Sequence, residues 1–107
     1  AGAQNHLELI YQKKAEQGDP DAQFNLGMMY ANGKGVDQNY ASAAEWFQKA
    51  ADQGHAWAQN KLGVMYLNGQ GVAKDIDKAV EWYLKATAQG HAGAKKALEK
   101  LNKTTNS

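Results

Sequence analysis

The sequence predicts an all-α chain built as a stack of helix pairs, and three observations lead there. The chain repeats itself every 36 residues: Gly18, Gly54 and Gly90 each follow a glutamine (Gln17, Gln53, Gln89), and residues 18–53 match residues 54–89 at 17 of 36 positions. A fixed period of this length marks an array in which each unit buries its apolar face against its neighbours. Within each period, apolar residues recur at three- and four-residue spacing between capping and glycine signals. No stretch alternates with period two over a useful length, so no strand is predicted.

The elements follow in order. Tyr11, Lys13 and Gln17 lie on the register of a second helix, so residues 1–17 are an N-terminal half repeat with a helix near 5–17. Residues 18–53 are the first full repeat. Asp19-Pro20-Asp21 opens its first helix, near 20–31: Asp19 accepts from free first-turn amides, Pro20 suits the first position, and Asp21 complements the helix dipole. Ala22, Leu26, Met29 and Tyr30 form the apolar stripe, and Asn32-Gly33 ends the helix, with Gly33 free to turn left-handed. Asn39 caps the second helix, near 39–53, whose stripe is Ala43, Trp46, Phe47 and Ala50. The second full repeat, 54–89, predicts helices near 56–67 and 75–89, with Asp75 as the cap and Ala79, Trp82, Tyr83 and Ala86 as the second stripe. His91, Ala92, Ala94 and Leu98 return to the first-helix register, so residues 90–107 are a capping helix, near 92–102, and a frayed tail from Thr104.

Composition bounds the chemistry. A chain of 107 residues, 43% hydrophobic and 21% charged, is one small domain. Its apolar runs are far shorter than the roughly 18 residues of a membrane helix. With no cysteine there is no disulfide, thiolate site or cysteine nucleophile. All twelve basic residues are lysine, so no arginine fork exists for guanine or phosphate, and a net charge of +1 gives no footprint for nucleic acid. Gly33-Lys34-Gly35 lacks the preceding strand and the Gly-Lys-Ser/Thr of a phosphate loop. The only serines are Ser42 and Ser107, and Ser42-Ala43-Ala44-Glu45 is not the Ser-x-x-Lys acylation pattern. His55 and His91 occupy equivalent turns about one helix-packing step of 8–10 Å apart, too far for one metal. Residues that recur at the repeat period answer a packing question. Gly27 and Gly63 are read as close helix contacts, Trp46 and Trp82 as aromatics buried between helices, and Glu45 and Glu81 as solvated or capping rather than an acid–base pair. Catalytic, metal and cofactor sites are therefore not predicted.

The string from Ala22 through Leu26-Gly27, Tyr30, Gly33 and Gly35-Val36, repeated from Ala58 to Val72, resembles the Sel1-like repeat. The second-helix stretch Lys78-Ala79-Val80-Glu81-Trp82-Tyr83-Leu84-Lys85-Ala86 resembles it too, and Ser42 replaces the usual lysine in the first repeat. The resemblance implies a right-handed α-α solenoid of Sel1-like, tetratricopeptide-like helix pairs. It also implies a non-enzymatic scaffold for other proteins, with bacterial periplasmic or secreted settings frequent. The alternative, a β-lactamase-like protein or a binder of penicillin or peptidoglycan fragments, is described for cysteine-rich relatives, whose cysteines this chain lacks.

In solenoids of this kind the first helix of each unit lines the concave face. The groove-facing positions are then Asp21, Phe24, Met28 and Ala31, next Trp57, Asn60, Val64 and Leu67, and last Gly93, Lys96 and Lys100. Of these, Phe24, Met28, Trp57, Asn60, Val64, Leu67 and Lys96 are the candidate contacts for a protein or peptide partner. Phe24 and Trp57 are large aromatics where the repeats disagree, and two readings stay open: ligand contact, or cover for the end of a small core. Net charge runs 0, −3, +1 and +3 over residues 1–17, 18–53, 54–89 and 90–107. Lys95, Lys96, Glu99 and Lys100 give the last helix the polar face of a terminal cap. Leu7, Leu9 and Ile10 lie on a helix without its partner, as in a piece cut from a longer solenoid or an end that meets something else. The expected state is a monomer with weak head-to-tail stacking.

Overall fold

A computed structural model describes residues 6–106, with side chains described from 8 to 103. Six helices follow one another: α1 (His6–Glu16), α2 (Pro20–Asn32), α3 (Tyr40–Asp52), α4 (Ala56–Asn68), α5 (Ile76–Ala88) and α6 (Ala92–Asn106). No strand occurs among the described residues. Each helix packs on the next, and the stack is elongated, 51 × 25 × 19 Å. The fold is the predicted α-solenoid.

The N-caps of α2, α3 and α5 are those the sequence specifies. Asp19 accepts from the backbone N–H of Asp21 and Ala22, Asn39 from that of Ser42, and Asp75 from that of Lys78. Gly33 and Gly69 close α2 and α4 in the left-handed conformation, at φ 68° in both repeats. The last helix departs from expectation. It runs through Asn106 rather than stopping near 102, because no glycine or proline after Gly93 interrupts it. The backbone from Thr104 is thus helical to that point, and Ser107 lies outside the described residues.

Packing turns on the two recurrent helix glycines. A Cβ on Gly27 would meet the Phe47 ring at 2.7 Å, and one on Gly63 would meet the Tyr83 ring at 2.6 Å. These two rings are the largest fully buried side chains, and burial raises the Tyr83 phenol above its ordinary pKa. Trp46 and Trp82 correct the sequence reading. They are only half-buried, with the ammonium groups of Lys49 and Lys85 over their rings at 5.7 and 4.7 Å from the centroids. The adjacent position, one residue on, points into the helix pair and holds the buried ring. Glu45 and Glu81 are exposed, as predicted.

A buried polar thread joins the units. Gln23 donates from Nε2 to the Ala15 carbonyl (3.0 Å) and accepts at Oε1 from Gln53 Nε2 (2.8 Å). One repeat later, Gln59 donates to the Ala51 carbonyl (3.2 Å) and accepts from Gln89 (2.9 Å). This gives the recurrent Gln-Gly pairs a role at the ends of α3 and α5. Glu8 on α1 is one of three side chains among the described residues with a buried, unpaired polar atom, the others being Thr87 and His91. It is 1% exposed, its Oε2 has no partner, and it holds the register position of Ala44 and Val80.

Candidate binding surface

The 36-residue period decides which residues share a face. Of the helices two apart in sequence, α4 packs directly on α6, while neither α2 and α4 nor α3 and α5 make a comparable contact. The candidate residues all belong to the row formed by the first helices of the units, α2, α4 and α6.

The structure does not treat those residues alike. Phe24 and Met28 are half-buried against the central core, with the Phe24 ring 5.7 Å from Phe47 and stacked on His55 at 4.8 Å. Val64 and Leu67 are half-buried against the C-terminal core around Tyr83. Asn60 is half-buried and Lys96 exposed. Trp57 stands apart. It is 60% exposed, the most exposed large apolar side chain described, and its ring meets His91 near-perpendicularly at 4.3 Å. Leu67 and Lys96 meet in one cavity of about 400 Å³ between α4 and α6, whose wall also includes Gly93, Ala97 and Leu101.

Two histidines organise this face, and the sequence reading missed their role. His55 and His91 are the N-caps of α4 and α6: Nδ1 accepts from the Ala58 N–H (3.2 Å) and from the Ala94 N–H (3.0 Å). With Nδ1 accepting, the ring proton sits on Nε2. In His55 that Nε2–H donates to Asp21 Oδ1 at 3.1 Å. In His91 it has no partner, although the residue is only 9% exposed. The signal lay in the period: Asp19, His55 and His91 are 36 residues apart, and Asp19 is legible as a cap on its own.

Chemically the face offers apolar surface, an aromatic ring, lysines and hydrogen-bond donors. Among the described residues no three potential metal ligands cluster, and no helix is long and apolar enough to cross a membrane.

Comparison with known proteins agrees with this architecture. The family model for the Sel1 repeat matches residues 20–55 and 58–91. A Sel1 repeat protein from Oxalobacter formigenes is similar at 47% identity and a TM-score of 0.83, over 84% of this chain and 68% of that one. A protective antigen with the same repeat fold, present in uropathogenic Escherichia coli strains, is 42% identical with a TM-score of 0.84. That match covers 85% of this chain but only 20% of the antigen, so this chain spans a fifth of its length. Helicobacter pylori cysteine rich protein B is 28% identical with a TM-score of 0.81, over 85% and 68% of the two chains, and this chain has none of the cysteines in that name. A search of curated protein sequences gives no match. Sel1-repeat proteins generally mediate protein–protein interaction, and their fold is typically a non-catalytic scaffold. Two consecutive matched repeats over most of its length make this chain a member of the Sel1 repeat family.

Proposed function

We propose that this chain is a non-enzymatic interaction module that seats a protein segment along the α2–α4–α6 row. The observation that carries the reading is Trp57. An indole 60% exposed on this row is costly to leave in water, and aromatic anchors of this kind dominate protein interfaces. Val64 and Leu67 extend the apolar strip along α4, Phe24 and Met28 continue it on α2, and Asn60 and Lys96 supply polar contacts.

The test begins with affinity capture on the recombinant chain and identification of what is held. Trp57→Ala should then weaken binding of the captured partner by about 2 kcal/mol or more. Its melting temperature should fall less than that of Phe47→Ala, which removes a fully buried ring at about 3–5 kcal/mol. If Trp57→Ala unfolds the chain as badly as Phe47→Ala, Trp57 is core and the row loses its anchor. If it changes neither stability nor binding, the partner uses another face.

A further inference from the structure

The two cap histidines differ in one respect, and the difference has a chemical address. His55 gives its Nε2 proton to the carboxylate of Asp21, in the first turn of α2. One repeat on, the position of Asp21 is filled by Trp57, in the first turn of α4, and His91 Nε2 is left buried without an acceptor. An indole offers an N–H only its π face, a weaker acceptor than a carboxylate. A buried donor without a true acceptor is costly, by an amount comparable to the hydrogen bond it lacks.

We infer that His91, Trp57 and the N-terminus of α6 form a carboxylate-accepting site, which an acidic side chain of a partner segment fills as Asp21 fills the equivalent place beside His55. Three further observations fit that occupant. Gly93 is the register counterpart of Asp21 and Trp57 and has no side chain. A Cβ there would meet His91 Cε1 at 3.0 Å, so the approach to the imidazole is left bare. Gly93 also borders the 400 Å³ cavity that Leu67, Ala97 and Leu101 line and Lys96 rims, so an apolar neighbour of the acidic residue has a place to go. The charge is complementary: residues 90–107 carry +3, and the imidazole caps the positive end of the α6 dipole through Nδ1. Trp57 is exposed enough to swing off the imidazole and lie against the incoming chain. The inference rests on the α2–α4–α6 row being the binding face and adds the chemistry that the row selects.

The probe is isovalerate, a carboxylate with a short branched tail, set against isovaleramide, its neutral counterpart. The full chain is titrated with each while the His91 imidazole nitrogens and the Trp57 indole N–H are followed by NMR. Isovalerate should shift both groups along one saturable curve, and isovaleramide should bind about tenfold more weakly or not at all. Two variants sharpen the test. Trp57→Asp restores the internal carboxylate that Asp21 provides beside His55, and should abolish isovalerate binding while leaving the chain folded. His91→Asn keeps a capping oxygen for Ala94 N–H but loses the imidazole donor, and should weaken isovalerate about tenfold. Equal binding of acid and amide, or undiminished isovalerate binding by Trp57→Asp, overturns the site. If a captured partner loses affinity with Trp57→Ala but not with His91→Asn, the row stands as a binding face and the carboxylate site falls. If isovalerate binds as described while the partner ignores Trp57→Ala, the site stands and the extended row does not.

Discussion

The Tyr83 ring lies where a side chain on Gly63 would begin, 2.6 Å from the position its Cβ would take. Phe47 stands in the same relation to Gly27. The glycine therefore sets how closely the two helices of a unit approach, and the aromatic ring fills the space that this approach creates. Alanine at an ordinary helix position would gain about 1 kcal/mol over glycine. Here the clash with a rigid, fully buried ring reverses the sign. Gly63→Ala should lower the melting temperature, and Gly63→Leu should cost about 1–3 kcal/mol as overpacking. An unchanged or raised melting temperature would mean that the ring moves freely, contrary to its burial.

The polar thread gives a second expectation. Gln59 is the acceptor for Gln89 and the donor to the Ala51 carbonyl, and it is buried. Gln59→Leu keeps the volume but removes two hydrogen bonds, leaving the Ala51 carbonyl to the Gly54 N–H and the exposed Gln89 amide to solvent, for a loss of about 1–3 kcal/mol in denaturant titration. Gln48→Leu is the control. That side chain bonds Asp52 at 2.8 Å on the solvent side of α3, and its loss should change stability by less than about 0.5 kcal/mol.

Glu8 is the place where a substitution should stabilise. Its carboxyl is buried with one oxygen unpaired, at a register position where the other repeats carry Ala44 and Val80. Burial of a polar group without its hydrogen bond costs about 1–3 kcal/mol. Glu8→Ala should therefore raise the melting temperature, and a fall would show that the carboxyl has a partner in solution.

Self-association should be weak and sensitive to salt. Leu9 and Ile10 are exposed on α1, while Leu7 lies outside the described side chains. The acidic 18–53 block and the basic 90–107 block favour a head-to-tail contact, which need not close into a ring. Sedimentation velocity at high protein concentration should show larger species at low salt and fewer at high salt, since exposed charges are screened within about 8–10 Å. A compact dimer that survives high salt would contradict the head-to-tail arrangement.

The period carried most of this architecture into the sequence. Residues that recur answer to neighbours that recur, so the caps Asp19, Asn39 and Asp75 and the contact glycines Gly27 and Gly63 were all legible. Burial within a stripe was not. Trp46 and Phe47 are adjacent, both are apolar, and only the rotation of α3 against α2 decides that Phe47 enters the core while Trp46 lies under Lys49. The residues of the α2–α4–α6 row were legible as a set of register positions, yet the row's chemistry depends on an imidazole orientation. Histidine is not among the strongly preferred capping residues, so nothing local marked His55 and His91. Only the two caps side by side bring out the unmatched donor at His91.

The glutamine thread also bears on how this chain comes apart. Gln23 ties α1 to the end of α3 through Gln53, and Gln59 ties the end of α3 to the end of α5 through Gln89. Loss of α1 therefore strands the buried Gln23 amide in the unit beside it, and so penalises fraying at that end more than the newly wetted apolar surface would alone. In a stack where each element touches little besides its neighbours, such links set the coupling between adjacent units, and with it the length over which unfolding is all-or-none. Amide exchange should then slow together across α2 to α5, rather than stepwise from one end to the other.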